Sequence, residues 1–336
     1  MEYRVLGKTG LKVSRMGFGG IPIQRIDAEG TRELMHRLVD AGINYIDSAR
    51  GYTVSEQYLG YALEGLRDKF ILATKSMSRT KDAMAKDIDI SLANFRTDYI
   101  DLYQVHNPTL ADLDTVSASG GAVEAMLEAK AAGKIGHLGV TVHSARTFEK
   151  ALELPWVETI MFPYNIVENQ GEDLIRKCHE KNIGFICMKP LAGGAIEDPA
   201  LAMRFVAANE NVDVVIPGMA EPKELDQNLA AFNNKAPFTE DDYAKMQEIR
   251  DALGTQFCRR CGYCAPCAAG INIPSIFVLE GYLKRYGLQD WAMGRYNALS
   301  AKASDCIQCG ICETRCPYQL PIREKMKQLV KDFEQR

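Results

Sequence analysis

Between residue 15 and about residue 232, short apolar runs alternate with longer amphipathic ones. The short runs cover residues 16–19, 43–47, 70–75, 100–106, 135–142, 159–164, 183–189 and 212–217. Each is nearly continuous in apolar character, the pattern of a strand buried on both faces. Stretches of helical period lie between them, among them 84–95 and 173–181. Eight βα units in succession predict an α/β fold, a (β/α)8 TIM barrel. A doubly wound open sheet is the alternative, but no G-x-G-x-x-G follows the first strand. Ahead of the first run, residues 3–14 hold Lys8-Thr9-Gly10 between two extended segments. They read as a β-hairpin able to plug the bottom of the barrel. From about Pro237 the pattern changes to helices and cysteine-bearing turns, with residues 273–303 helical. The expected division is a barrel over 1–235 and a small α-helical, ferredoxin-like domain over 236–336. No low-complexity segment or disordered linker interrupts it.

The 336 residues suffice for one large domain and one small one. Net charge is −4 with no basic patch, so nucleic acid is not an expected partner. No apolar run approaches the roughly 20 residues that span a bilayer. The chain opens directly in a folding pattern without a signal peptide. A soluble, cytoplasmic protein without disulfides is expected.

Eight of the ten cysteines fall in two runs. The first, Cys258, Cys261, Cys264 and Cys267, is spaced C-x2-C-x2-C-x2-C. The second, Cys306, Cys309, Cys312 and Cys316, is spaced C-x2-C-x2-C-x3-C and is followed by Pro317. The second run has the bacterial ferredoxin spacing for a [4Fe–4S] cubane, in which the fourth cysteine commonly ligates the other cluster of a pair. Two clusters are therefore expected, with Cys267 and Cys316 as cross-ligands. Zinc is the competing reading, but it prefers two C-x2-C pairs separated by a spacer. Cys267 is the least regular ligand, because its run lacks the third spacer residue and the proline. Clusters of this kind imply a reducing, oxygen-poor cell. Cys178 and Cys187 lie in helix-like and strand-like segments and read as packing residues.

Barrel chemistry gathers at the C-terminal ends of the strands. The second predicted strand ends in Asp47, with Tyr52 in the loop beyond; the third ends in Lys75 and the fourth in His106. Singly, each has an ordinary explanation: a helix cap, a solvated tip, a structural histidine. Together, at the ends of consecutive strands, they point to a site. A phenol can protonate the alkoxide that develops when a carbonyl is reduced. A lysine ammonium beside it favours the phenolate. A carboxylate holds that lysine charged and in place, and an imidazole can orient the substrate oxygen.

These residues carry a family resemblance. Residues 45–52 (YIDSARGY) with Ser55-Glu56, then Ala73-Thr74-Lys75, then residues 101–106 (DLYQVH), resemble the active-site segments of the aldo/keto reductases. Residues 3–14 (YRVLGKTGLKVS), Gly133-Lys134-Ile135-Gly136 and Ile216-Pro217-Gly218 are similar to other segments of that family. The match covers roughly residues 1–232, and the whole chain resembles a branch with an appended ferredoxin-type tail. The resemblance implies a catalytic tetrad of Asp47, Tyr52, Lys75 and His106, with Tyr52 as the acid. It implies hydride transfer from a nicotinamide, usually NADPH, to a carbonyl.

The cofactor positions depart from the family. Where the family has Ser-Asn for the carboxamide, this chain has Thr141-Val142. Where it has Gln, Met161 stands ahead of Pro163-Tyr164-Asn165. Met188-Lys189-Pro190-Leu191 takes the place of a stacking aromatic. Gly218-Met219 and Glu224, with Lys223 adjacent, replace the residues that clamp the 2′-phosphate, while adenine-side Asn228 is retained. The implied cofactor contacts are Thr141, Asn165, Lys189, Gly218, Lys223 and Asn228, and NAD(H) is favoured over NADP(H). Met77, Tyr103, Phe162 and Tyr164 are pocket candidates that barrel packing explains equally well.

Hydride moves as an electron pair, whereas each cluster moves one electron, so direct coupling calls for an intermediary such as a flavin. Three functions stay open. One is a nicotinamide-dependent oxidoreductase interconverting a small carbonyl and an alcohol. The second is a ferredoxin-linked oxidoreductase passing single electrons through the clusters into the barrel, with a redox partner protein such as ferredoxin. The third is a non-catalytic electron-transfer or redox-sensing protein.

Overall fold

In the computed structural model, which describes residues 1–335, each of the eight apolar runs carries a strand of one parallel sheet. Two short strands precede them, β1 (Tyr3–Val5) and β2 (Lys12–Ser14). The sheet follows as β3 (Phe18–Gly19), β4 (Tyr45–Asp47), β5 (Ile71–Ser76), β6 (Ile100–His106), β7 (Ile135–Thr141), β8 (Thr159–Pro163), β9 (Gly184–Met188) and β10 (Val214–Ile216). Neighbours in sequence are neighbours in space from β3 to β10. Parallel bridges Met16–Val215 and Gly19–Gly218 join the two ends of the sheet. The strands thus form a nearly closed barrel, and the open-sheet alternative falls away.

Helices alternate with the strands and cover the sheet from outside. In the helix Lys81–Phe95, the buried apolar residues Met84, Ile88, Leu92 and Phe95 recur at helical period. One large apolar cluster fills the space between helices and sheet. A second cluster fills the barrel itself, where Leu6 and Val13 of the hairpin join Tyr45, Leu102, Met161 and Ile186. The hairpin pairs antiparallel, Tyr3 opposite Ser14, and so plugs the barrel from below. Gly7 makes this approach feasible: its φ is +50°, and a Cβ there would lie 2.2 Å from Gly184 N. With the lower barrel sealed by aliphatic groups, polar residues are left to the upper rows.

Backbone contacts divide the chain into two compact units. One is Met1–Pro190 with Asp198–Ala236, and the other is Leu191–Glu197 with Pro237–Arg336. The second unit is helical, with helices Glu240–Gly254, Ile273–Lys284, Gln289–Asn297, Ile311–Thr314 and Ile322–Glu334. In the last of these, Ile322, Met326, Leu329 and Phe333 form the buried stripe. Phe333 stacks on the fully buried Tyr296 at 4.1 Å between ring centroids. Among the described residues no helix is long and apolar enough to cross a membrane.

Asp213, just before β10, accepts a hydrogen bond from Phe185 N at 2.8 Å. Burial nevertheless raises its pKa to about 6, against the lowering effect of that amide and of Arg4, His179 and Arg15. The folded chain thus holds a proton that the unfolded chain, with an aspartate near pH ~4, has released. The resulting stabilisation is full below the unfolded pKa and is lost as pH rises through about 6. Asp213→Asn keeps an acceptor for Phe185 N and removes the titration. Urea midpoints of wild type and variant, compared at mildly acidic and neutral pH, should show the wild type losing stability relative to the variant as pH rises. Parallel curves would contradict the assignment.

Candidate active site and cluster-binding loops

The upper barrel interior is built around a buried ion pair. Asp47, the last residue of β4, is 2 % exposed, and so is Lys75 on the neighbouring β5. Lys75 Nζ donates to Asp47 Oδ2 and, at 2.6 Å, to the carbonyl of Ser48. Burial raises the Asp47 pKa and lowers that of Lys75, each opposed by the charge of the other. The charged state of the pair therefore depends on its mutual contact and its hydrogen bonds. Gln104 on β6 supplies one of these, its Nε2 donating to Asp47 Oδ1 at 3.2 Å.

Tyr52 and His106 complete the group. Lys75 Nζ lies 4.8 Å from the Tyr52 ring centroid. The Tyr52 and His106 rings meet edge to face, with centroids 6.0 Å apart. All four residues expected at the strand ends are thus brought together. The loop that carries Tyr52 is stitched to β5 by Ser48 N to Ala73 O and Arg50 N to Lys75 O, at 2.9 and 3.0 Å. Below it lies Glu56, 1 % exposed. Its carboxylate accepts from Arg50 Nη1, Thr74 Oγ1, Ser91 Oγ and Asn94 Nδ2, all at 2.8–3.0 Å. A buried carboxylate with every oxygen engaged fixes what it touches. Through Arg50 it fixes the turn leading to Tyr52.

The expected cofactor residues are more dispersed. Thr141, at the end of β7, is buried, and its Oγ1 accepts from Asn107 N at 3.0 Å. Asn107 Oδ1 in turn meets His143 Nδ1 at 2.9 Å. Asn165 is fully buried. Its Nδ2 donates to Glu168 Oε2 and Lys189 O, and its Oδ1 accepts from the amides of Val167 and Glu168. The Asn165 amide is therefore spent on the loops above β8 and β9. Lys189 is half-buried with a left-handed φ of +56°. Gly218 and Lys223 are exposed, and Asn228 is buried on the helix Pro222–Asn233. At the start of that helix, Glu224 turns back on the helix's own end, its Oε2 accepting from the amides of Ala220 and Glu221 at 2.6 and 3.1 Å. Arg25 Nη2 lies 2.8 Å from both Glu224 oxygens. Burial works against this charge, yet the Ala220 amide and Arg25 hold the carboxyl below its usual range.

Of these groups, Gln104 was legible two residues before His106, on the same face of a strand. The Arg25–Glu224 contact joins residues 199 positions apart and had no sequence signal.

In the second unit the two cysteine runs share a local backbone pattern around their second cysteines. Residues Arg260 and Gln308, each just before the second cysteine, have φ of +58° and +57°; Gly262 and Gly310, just after it, have +79° and +78°. The correspondence continues past the unequal spacers. Gly270 N bonds to Cys267 O at 3.0 Å and Gln319 N to Cys316 O at 3.1 Å, with φ of +72° and +53°. Cys267 and Cys316 are thus each followed by the same kind of turn. A cavity is lined by Cys264 and Cys267 of the first run and Cys306, Cys309 and Cys312 of the second, with Arg323 and apolar groups such as Ile273 and Met326. No three ligand-type side chains among the described residues close around a single ion. Burial, aided by the nearby Cys258 and Cys261 sulfurs, pushes the metal-free Cys264 thiol up to about 12. A bound iron would hold it as thiolate. By contrast Cys178 and Cys187 are buried, and burial raises both thiols well above their usual range.

Comparison with known proteins agrees with both units. The aldo/keto reductase family matches residues 15–199 and 196–251. A 4Fe–4S dicluster domain matches residues 257–321, which include all eight cysteines of the two runs. The L-galactose dehydrogenase of Arabidopsis thaliana is 27 % identical over 285 residues, covering 69 % of this chain and 88 % of that protein. The aldo-keto reductase YhdN of Bacillus subtilis is 31 % identical over 223 residues, covering 59 % and 66 %. Among solved structures, an aldo-keto reductase of Bacillus halodurans in its holo form superposes with a TM-score of 0.64 at 26 % identity. That superposition covers 74 % of this chain and 96 % of the other.

The same kind of turn after Cys267 and Cys316 leads to a direct expectation. Cys267→Ala and Cys316→Ala should each lower bound iron by a similar amount, toward about half of the eight expected per chain for two cubanes. Iron and sulfide analysis of anaerobically reconstituted protein checks this. Full iron retention in Cys267→Ala alone would remove that residue from the ligand set.

Proposed function

Because this chain belongs to the aldo/keto reductase family and carries a 4Fe–4S dicluster domain, we propose that it interconverts a small carbonyl compound and its alcohol with a nicotinamide cofactor. The observation that carries this reading is the Lys75 ammonium, buried with Asp47 and 4.8 Å from the Tyr52 ring. When bound, the nicotinamide supplies the hydride to the carbonyl carbon. Tyr52 then gives its phenolic proton to the carbonyl oxygen, leaving a phenolate. The Lys75 cation offsets that charge, and a positioned proton donor of this kind contributes about 10²–10⁴ in rate. Asp47 keeps Lys75 in place and charged, and His106, edge-on to Tyr52, orients the oxygen. In the oxidation direction the same phenolate accepts the proton.

We assign NAD(H) rather than NADP(H) on the strength of Glu224. The amides that open the helix Pro222–Asn233 form the kind of anion site that holds a phosphate. Here the Glu224 carboxylate already lies at that end, bonded to the amides of Ala220 and Glu221 just before the helix and countered by Arg25. A 2′-phosphate would meet a negative charge and spent donors.

One observation favours a second reading. The amide of Asn165, an expected cofactor contact, is committed to protein groups. A ferredoxin-linked enzyme, with the clusters passing single electrons toward the barrel, would not need it.

Tyr52→Phe separates the two readings. Carbonyl turnover with NADH should fall about 10²–10⁴-fold, with the clusters intact. Unchanged turnover would remove Tyr52 as the acid. If reduced ferredoxin bleaches the cluster absorbance under anaerobic conditions equally in wild type and variant, while neither reduces carbonyls with NADH, the second reading holds. For the cofactor, Glu224→Ser should raise kcat/KM with NADPH about tenfold or more and leave NADH little changed. An equal response of both cofactors would refute the assignment.

A further inference from the structure

We infer that Gln104 is a positioning residue, holding Asp47 so that Lys75 stays cationic beneath Tyr52. The inference rests on the reading of Tyr52 as proton donor. Gln104 lies in one register row inside the barrel, opposite Lys75 on β5 and Gly139 on β7, with Thr159 of β8 next along. It is fully buried. Its Nε2 donates to Asp47 Oδ1 at 3.2 Å, while Lys75 takes Asp47 Oδ2. The two donors therefore grip different oxygens of one carboxylate, and neither leaves the carboxylate free to turn.

The other end of the amide shows what this contact costs. Gln104 Oε1 is buried with no hydrogen-bond partner among the described residues. An orphaned buried acceptor weakens the fold, because it gives up its bond to water and gains none. A leucine or methionine would fill the same space without it. The row is tightly packed at Gly139, where a Cβ would sit 2.2 Å from Thr159 Oγ1 and 3.1 Å from Gln104 Cγ. A pairing that leaves one end of the residue unsatisfied makes sense if the other end is needed. Its amide proton favours the charged form of Asp47, opposing the burial that disfavours it. Asp47 in turn favours the charged form of Lys75. Without the amide the pair drifts toward its neutral form, and Tyr52 loses the cation that offsets its phenolate.

The test uses the full chain with reconstituted clusters. Gln104→Met removes the donor at similar volume and should be at least as resistant to denaturation as wild type. Its kcat should fall about tenfold with KM changed less than about twofold. Tyr52 ionisation, read as the ultraviolet phenolate difference between each protein and its Tyr52→Phe counterpart, should move to higher pH. Gln104→Glu, nearly isosteric, should move it in the same direction, and its activity should recover as pH falls and its protonated carboxyl can donate to Asp47. A Tyr52 midpoint that stays at the wild-type pH in a folded variant would overturn the inference. If the midpoint moves but the wild type reduces no carbonyl, the positioning role stands and the proposed reaction falls.

Discussion

An ammonium and a carboxylate sealed together inside a parallel barrel set the terms for everything above them. Neither Asp47 nor Lys75 reaches solvent appreciably, so each relies on the other for its charge, and losing one would strand the other at a cost of several kcal/mol. The barrel meets this condition by dividing its interior. Aliphatic residues of the strands and the hairpin fill the lower rows, where Leu6 enters. Polar donors are reserved for the row that touches the pair. The Glu56 network then holds the adjoining turn, from which Tyr52 meets Lys75.

Much of this was legible in the chain before folding. Strands covered on both faces must be continuously apolar, and each of the eight runs that met this condition carries a strand. Strand ends in a barrel share one rim, so Asp47, Lys75 and His106 could be placed together from their positions alone. What escaped was contact between side chains far apart in sequence. Glu56 was visible as part of a motif, but its four partners come from three separate segments. Arg25 gave no hint that it would meet Glu224. Asn165 had the right type and place for a cofactor contact, yet a local turn claims its amide. Short polar side chains readily satisfy nearby backbone, and periodicity carries no trace of that choice.

The cysteine runs show the opposite relation. Their spacings differ by one residue, which made Cys267 the irregular member. Yet the left-handed residues at 260, 262 and 270 repeat those at 308, 310 and 319. Backbone conformation, rather than residue count, fixes where a thiol ends up. A spacing rule therefore underrates the first run, whose Gly262 and Gly270 supply the left-handed turns at little steric cost.

The Glu224 carboxylate also acts as a tethered competitor. It is joined to the helix whose end it occupies and is held there by two amides and a guanidinium. Its effective concentration at that spot far exceeds that of any dissolved anion. A phosphorylated ligand arriving there must displace a rival that never diffuses away. For a phosphate that reached that position, this intramolecular equilibrium would weaken apparent affinity by a fixed factor.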